Sequence, residues 1–209
     1  MIKSPWEIVQ MEKTARISYK TFEYIRETIR PGYTEMEFGG MVEAFARKIG
    51  HAGRLRVRDY QTEGYPWHIL SGVSGGMVGL LDSPASGQGT SAAFPVGAGN
   101  RKLLADEPIM IDLSSVMNGF HMDETRMFAI GTMPREALDA SLAIIDIHDW
   151  VLDHGERNPA DVRKPRAQCV QRREVRSEPV GRTDAGVADS LTAADAQLRR
   201  SSRSFERRV

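Results

Sequence analysis

One segment constrains the fold of this sequence more than any other, the stretch of residues 108–130. It contains two apolar runs of strand length joined by Asn118-Gly119. This dipeptide readily adopts the positive φ angles of a two-residue type I′ turn. The sequence therefore predicts a β-hairpin in which Met117 faces Phe120, and the turn sets the register of both strands.

Each strand of the predicted hairpin carries one acid among its apolar residues. In the register set by the turn, Asp112 lies opposite Thr125 and Asp123 lies opposite Ser114. Because side chains alternate along a strand, the two acids share one face as diagonal neighbours, with their Cα atoms roughly 7–8 Å apart. A slip of one residue would place them on opposite faces.

Two neighbouring carboxylates repel each other unless a cation lies between them. Divalent metal ions are the natural candidates, since hard cations prefer oxygen ligands. The residues are also compatible with a second interpretation, an edge hairpin whose acids simply face water. Spacing alone leaves both interpretations open.

The hairpin resembles the metal-binding hairpin of the pita-bread metallopeptidases, the family of methionine aminopeptidases, Xaa-Pro aminopeptidases, prolidases and creatinase. In that family, two Asp residues eleven positions apart on adjacent strands, followed by Thr or Ser and a basic residue, bind a pair of divalent ions. Asp112, Asp123, Thr125 and Arg126 fit this pattern. The D-x-T-R form is most similar to the Xaa-Pro aminopeptidase branch, and I-R-P-G-Y-T-E at 29–35 resembles the family's first interhelical loop.

The resemblance implies an α/β (α+β) class and a partial pita-bread fold, with an antiparallel sheet flanked by helices. It implies two divalent ions (Mn, Co or Zn), with Asp112 and Asp123 as ligands and Thr125 supporting a ligand from outside the coordination shell. The implied activity is hydrolysis of an N-terminal residue, often before proline, so the expected partner is a peptide substrate.

The resemblance covers about residues 3–155. The second half of the family's catalytic domain supplies a His in a G-H-G setting and then two Glu ligands, and nothing after Asp123 matches them. No catalytic residue is therefore assigned. We expect a C-terminally truncated or frameshifted member with weak, poorly selective metal binding and little or no activity alone. The alternative is a non-catalytic fragment or interaction module that self-associates, in either case as a homo-oligomer (dimer).

The composition changes near residue 155, which divides the chain into 1–155 and 156–209. The second segment has twelve Arg but one Lys, and thirteen basic against eight acidic residues, although the net charge of the whole chain is zero. It shows little periodicity that could bury a face, so disorder is the expectation. A polybasic arm for nucleic acid or membrane is the other interpretation, and the interspersed acids weaken it.

Three helices are predicted, over 4–30, from Thr34 to Gly50, and over 134–153. Ser4 with Glu7, and Thr34 with Glu37, form capping boxes at the starts of the first two. Apolar residues recur at roughly helical spacing in the first helix, at Ile8, Met11, Ala15, Ile17, Tyr19, Phe22 and Ile25. A buried stripe is expected in the second, at Phe38, Val42, Phe45 and Ile49. A mainly apolar side is expected in the third, at Leu138, Leu142, Ile145, Trp150 and Val151.

Three features of the middle segment receive structural interpretations. The alternating arginines at 54, 56 and 58 indicate a solvated strand face, because no aromatic residues are interleaved for stacking on bases, and no nucleic acid partner is expected. The G-x-S-x-G match at 72–76 resembles a nucleophile elbow. Glycines costing about 1 kcal/mol each in a helix favour a plain loop there. His68 is interpreted as a hydrogen-bonded core histidine rather than a catalyst.

Hydropathy and cysteine content indicate where in the cell the protein is located. No apolar run approaches the ~20 residues of a membrane span, and the N-terminus lacks a signal-peptide pattern. Cys169 is the single cysteine of 209 residues, so no internal disulfide can form. We therefore expect a cytoplasmic protein with no membrane association.

Overall fold

The computed structural model describes residues 3–56, 63–64, 67–78 and 86–154. Strands β3 (Trp67–Ser71), β4 (Ile109–Met117) and β5 (Phe120–Phe128) form an antiparallel sheet in that order, and β1 (Leu55–Arg56) pairs with β2 (Glu63–Gly64). The predicted class, an antiparallel sheet flanked by helices, is confirmed. Segment 156–209 lies outside the described residues, so the domain division stays a prediction. The helices are α1 (Pro5–Thr28), α2 (Glu35–Lys48), a 3-10 helix (Gly72–Gly76) between β3 and β4, and α3 (Arg135–His154).

Both predicted capping boxes are present at the starts of α1 and α2. The Ser4 amide donates to Glu7 Oε2 at 2.6 Å, and the Thr34 amide donates to Glu37 Oε2 at 2.7 Å. These backbone hydrogen bonds, followed by those from the Ser4 and Thr34 side chains, lower the pKa values of Glu7 and Glu37. The caps thus satisfy amides that the first helical turn leaves unpaired.

The hairpin of β4 and β5 has the predicted register. Met117 pairs with Phe120, and Asn118 and Gly119 have φ angles of 51° and 80°. Both turn residues therefore lie in the left-handed region that a type I′ turn requires. The Asn118-Gly119 dipeptide was sufficient to predict which residues face each other along the whole hairpin.

The hydrophobic core lies between the helices and one face of the three-stranded sheet. Helix α1 packs on β4 and β5, and α2 packs on β3. Apolar side chains from α1, α2, all three strands and two positions outside these elements are buried together, so the opposite face of the sheet is left for other roles. The core residues are Phe22, Ile25, Ile29, Phe38, Val42, Ala46, Ile69, Leu103, Ile109, Ile111, Leu113 and Phe128.

The buried stripe of α1 differs from the predicted apolar stripe. Ile17, Phe22 and Ile25 are buried as expected, but Tyr19 is 43% exposed. Small and polar residues take the remaining buried positions: Gln10, Thr14, Ser18 and Thr21. The Ser18 hydroxyl donates to Ser115 Oγ of β4 at 2.9 Å. Polar side chains thus join the helix to the hairpin, and a search for apolar periodicity cannot detect them.

Helix α3 packs differently from α1 and α2. None of the side chains of residues 135–151 is buried, and Ile144 is 65% exposed. The third helix was correctly predicted, and the residues of its mainly apolar side are partly buried or exposed. None of the described helices, α3 included, combines the length and apolar character needed to cross a membrane.

Candidate metal centre

The acids of the hairpin lie on the sheet face that points away from the helices. Ile111 and Leu113 of β4 are in the core, so Asp112 between them projects to the opposite face. Asp112 pairs with Thr125, and Ser114 pairs with Asp123. The expected arrangement of Asp112 and Asp123 as diagonal neighbours on one face is therefore confirmed, and Asp123 is exposed.

Each acid is held by a hydroxyl from the residue directly opposite. Thr125 Oγ1 donates to Asp112 Oδ1 at 2.7 Å, and Ser114 Oγ donates to Asp123 Oδ1 at 2.5 Å. A hydrogen-bonded carboxylate keeps further lone pairs that can bind a cation. The hydroxyls thus orient both carboxylates without using up their capacity as ligands.

Strand β3 adds a third side chain to this face. His68 pairs with Asp112 in the sheet, so the row His68, Asp112 and Thr125 crosses all three strands on the acid side. The Nδ1 atom of His68 is buried and has no hydrogen-bond partner within the part of the chain that is described. The sequence-based prediction that His68 is a hydrogen-bonded core histidine is therefore not met at Nδ1.

Arg126, which completes the family-like D-x-T-R pattern, projects toward the helices. Its guanidinium lies 2.9 Å from Glu124 Oε2 and 5.2 Å from the ring centroid of Phe22. Burial raises the pKa of Glu124, and the charge of Arg126 opposes that shift. Arg126 therefore fixes β5 to α1, and it takes no part in the acid face.

Glu35 is a buried acid that inspection of the sequence missed. It is fully buried, and its carboxylate accepts hydrogen bonds from the Ser71 amide at 2.7 Å, the Ser71 hydroxyl at 2.9 Å and the Gly99 amide at 2.9 Å. Ser74 Oγ donates at 3.4 Å. Glu35 thus joins α2 to the end of β3 and to the loop before β4. The only sequence signal is its position directly after the cap residue Thr34.

The G-x-S-x-G segment has no features of a hydrolase site. Residues Gly72–Gly76 form a 3-10 helix, and Ser74 is fully buried with its hydroxyl directed to Glu35. A nucleophile elbow instead presents its serine to the substrate before a long helix. The segment is structural.

The acid pair suits a divalent cation by the chemistry of its donors, because carboxylate oxygens are the preferred ligands of hard ions. It does not form a complete site. Across residues 3–56, 63–64, 67–78 and 86–154, no three His, Cys, Asp or Glu side chains are gathered closely enough to hold a metal ion. The acid face therefore fits the first ligands of a metal centre and leaves other coordination positions open.

A sheet face with paired carboxylates on adjacent strands is a framework for divalent ions. Residues 9–157 match the model of metallopeptidase family M24, and the chain belongs to this family. The chain is 26% identical over 137 residues to a methionine aminopeptidase from Clostridium perfringens (strain 13 / Type A), a match that covers 66% of this chain and 47% of that protein.

A second relative is an uncharacterised peptidase from Staphylococcus haemolyticus, which is 29% identical over 65% of this chain and 32% of its own length. The chain thus spans half or less of the curated relatives it matches. Similar structures include an X-Pro aminopeptidase from Thermotoga maritima, with a TM-score of 0.54 and 21% identity over 71% of this chain and 35% of that one. The prolidase from Pyrococcus horikoshii has a TM-score of 0.55 and 20% identity over 72% and 36%. These structures show the fold.

Proposed function

We propose that this chain descends from a metal-dependent aminopeptidase of the Xaa-Pro type. Asp112 and Asp123 would be its first two metal ligands. The observation that supports this most directly is that both acids lie on one open sheet face, each oriented by an opposing hydroxyl. Membership of metallopeptidase family M24 and the D-x-T-R form of the motif support it further. The substrate would be a peptide with a free N-terminus, often with proline second.

The residues of the chain have separate parts in this proposal. Asp112 and Asp123 would hold the divalent ions, for which manganese, cobalt and zinc are the candidates. Bound ions of this kind polarise a carbonyl and lower the pKa of a water, which is the chemistry that peptide hydrolysis needs. Thr125 and Ser114 would keep the carboxylates oriented, and Arg126 would hold the hairpin on α1.

We further propose that the chain alone is weakly active or inactive. Two carboxylates leave most coordination positions to water, so binding would be weak and poorly selective. We assign no residue to the remaining His and two Glu ligands of the family. We also assign no residue to the group that transfers protons. The single cysteine would suit a cytoplasmic location.

The metal part of the proposal is tested by calorimetric titration of the full chain with Mn²⁺ and Co²⁺. We expect saturable binding that weakens at least tenfold in Asp123→Ala, because one of two anionic ligands is lost. Asp146→Ala is the matched control, since Asp146 is an exposed acid on α3 and does not belong to the hairpin. Equal binding by Asp123→Ala and the unaltered chain would contradict the proposal.

The activity part is tested with an Xaa-Pro peptide in the presence of Mn²⁺ or Co²⁺. We expect little or no release of the N-terminal residue by the pure 209-residue chain. Robust turnover that Asp123→Ala abolishes would show that the chain is a complete enzyme, and would refute the proposed weakness while supporting the metal ligands.

A second candidate function is a non-catalytic module that self-associates with another copy of the chain as a dimer. It is favoured by α3, whose apolar residues Leu142 and Ile144 are 39% and 65% exposed. Because uncovered apolar surface promotes association, Ile144→Asp should shift a dimer toward monomer in a light-scattering mass measurement. A monomeric mass for the unaltered chain at micromolar concentration would rule this candidate out.

A further inference from the structure

We propose that Asn118 is a site of spontaneous deamidation, and that its hydrogen bond to Gln10 slows the reaction. The site lies in the turn between β4 and β5, where Asn118 precedes Gly119. The reaction needs only water, so the inference is independent of the proposed metal site. Modification there would change the main chain of the turn that sets the register of both strands.

The chemistry joins two groups of the dipeptide. The Gly119 amide nitrogen attacks the side-chain carbonyl carbon of Asn118, Cγ, and forms a C–N bond with it. The bond from Cγ to Nδ2 breaks, and Nδ2 leaves as ammonia with the proton that the Gly119 nitrogen gives up. The product is a five-membered cyclic imide. Water then adds to one of the two imide carbonyl carbons and opens the ring. This leaves either an aspartyl residue or an isoaspartyl residue, in which the main chain continues through the side-chain carbon.

The hairpin turn leaves the attacking nitrogen open to this reaction. Asn118 and Gly119 are both exposed, and a Cβ added to Gly119 would have no neighbour within 4 Å. The ladder closes with the pair of Met117 and Phe120, so the amide of the second turn residue lies outside it. A glycine nitrogen also has no side chain beside it to block its approach to Cγ. The turn therefore presents both reacting groups.

A residue of α1 holds the nitrogen that must leave. Asn118 Nδ2 donates to Gln10 Oε1 at 3.1 Å, and Gln10 is only 6% exposed. This hydrogen bond fixes the side-chain amide, whereas ring closure requires the amide to rotate toward the main chain. The bond has to break before the attack can occur. The contact therefore slows deamidation, and local opening between α1 and the turn would release the amide.

The other two asparagines of the sequence are less suited to the reaction. Asn100 is exposed, but Arg101 follows it, and that side chain hinders attack by its own amide nitrogen. Asn158 precedes Pro159, which has no amide proton to give up. Asn118 is therefore the asparagine expected to react fastest, and Asn100 provides an internal comparison.

The two products should affect the hairpin differently. An aspartyl residue keeps the main chain unchanged, and Asp-Gly is also a favoured type I′ pair. An isoaspartyl residue adds one carbon atom to the main chain of a two-residue turn, so Met117 and Phe120 can no longer close the ladder with the same geometry. We therefore expect only the isoaspartyl form to weaken the hairpin.

The experiment follows the pure 209-residue chain during weeks of incubation in a mildly alkaline buffer. Trypsin cuts after Arg101, Lys102 and Arg126, so Asn100 and Asn118 fall in separate peptides. Mass spectrometry detects the conversion of amide to acid, and electron-transfer fragmentation identifies the isoaspartyl form. We expect conversion at Asn118 at least about tenfold faster than at Asn100, with isoaspartyl among the products.

Two results on the unaltered chain would overturn the site. One is no conversion at Asn118 over a period in which the chain unfolded in guanidinium chloride is converted. The other is an aspartyl product alone, because opening of the cyclic imide also yields isoaspartyl.

Three variants test the parts assigned to Gln10 and Gly119. Gln10→Leu removes the acceptor at similar size, and conversion should be about fivefold faster, as expected for loss of one ordinary hydrogen bond. Met11→Leu, at the next position of α1, is the matched control and should convert at the unaltered rate. Gly119→Ala should convert at least about fivefold more slowly, because its methyl group hinders the attack. An unchanged rate in Gln10→Leu would overturn the role of Gln10.

The effect on the hairpin is measured by urea unfolding of the aged chain after its forms are separated by ion exchange. The isoaspartyl form should have a lower urea midpoint than the unaltered chain. Asn118→Asp carries the same added charge on an unchanged main chain, and its midpoint should stay close to that of the unaltered chain. Equal midpoints for the isoaspartyl form and Asn118→Asp would overturn the expected weakening of the turn.

Discussion

Thr125 stands directly opposite Asp112 across the hairpin, and its hydroxyl donates to Asp112 Oδ1 at 2.7 Å. The two residues belong to different strands and are thirteen positions apart in the sequence, so the contact exists only in the correct register. The hydrogen bond restrains the carboxylate on the sheet face that points away from the helices. This relationship gives the first testable consequence.

Replacing Thr125 by Val keeps a β-branched side chain in the strand and removes the hydroxyl. We expect divalent-ion affinity to fall about tenfold, as is typical when a residue that orients a ligand is lost. The free energy of unfolding should change by less than about 1 kcal/mol, because the bond is exposed. Calorimetric titration and urea unfolding measure the two effects.

Thr125→Ser is the matched control, since it restores the hydroxyl with a smaller side chain. It should recover most of the lost affinity. If Thr125→Val and Thr125→Ser bind the metal ion equally well, the hydroxyl has no part in orienting Asp112.

Glu35→Ala should be among the most destabilising single substitutions in the described chain. It leaves the Ser71 and Gly99 amides without the buried carboxylate that accepts from them, and we expect a loss of about 3–5 kcal/mol in the free energy of unfolding. Glu37→Ala, two positions along, removes only an exposed capping contact and should cost much less. Urea titrations monitored by circular dichroism compare them, and equal losses would disprove the central role of Glu35.

Two glycines with open space around their α-carbons should respond in opposite ways to alanine. Gly119 has a φ of 80° in the hairpin turn, whereas Gly40 has no positive φ and lies inside α2, and neither has a neighbour within 4 Å of an added Cβ. Gly119→Ala should destabilise by about 1–2 kcal/mol through backbone strain. Gly40→Ala should stabilise by about 1 kcal/mol through helix propensity. Changes of the same sign in thermal melts would contradict the conformational argument.

His51 predicts a stability that falls on mild acidification. Burial, followed by the charge of Arg47, lowers the pKa of His51 below its ordinary 6.5, and its Nδ1 accepts a hydrogen bond from the Val116 amide at 3.0 Å. The folded state therefore binds fewer protons than the unfolded state. The contribution of His51 is fully present above the unfolded pKa, and it decreases as pH falls from about 6.5 toward the lowered folded value.

The measurement is the urea midpoint between pH 7.5 and 5.5 for the unaltered chain and for His51→Gln. Gln does not titrate in this range, so its midpoint should vary less with pH. The raised pKa of Glu124 acts in the opposite direction in both proteins and cancels in the difference. Parallel curves for the two proteins would show that His51 is not the responsible group.

The parts of the fold that could be predicted are those encoded locally. Asn118-Gly119 determines the hairpin register, and Ser4 with Glu7 and Thr34 with Glu37 determine where two helices begin. These signals act over a few residues. They were sufficient to bring Asp112 and Asp123 to one face, because strand alternation follows from register.

The parts that could not be predicted depend on distant partners. Glu35 is buried because Ser71 and Gly99, dozens of residues away, donate to it. Ser18 is buried because it meets Ser115. The position of His68 beside Asp112 follows from a pairing of strands far apart in sequence. The hydropathy pattern of the sequence does not predict such contacts. It predicts that polar residues of this kind lie on the surface.

The expectation of a truncated or frameshifted member stays a prediction, and sequencing of the coding region tests it directly. If the expectation is correct, an alternative reading frame after about codon 155 should encode a G-H-G segment followed by acidic strands. A locus whose other frames contain neither would contradict it.

The two-residue turn between β4 and β5 limits how this protein can change during evolution. A single amino acid inserted into β5 next to His121 would turn Asp123 to the helix side of the sheet, or it would force a bulge beside Asp123. Paired insertions would preserve the facing of both carboxylates. Length variation in natural variants of this hairpin should therefore occur in steps of two or be confined to the turn itself.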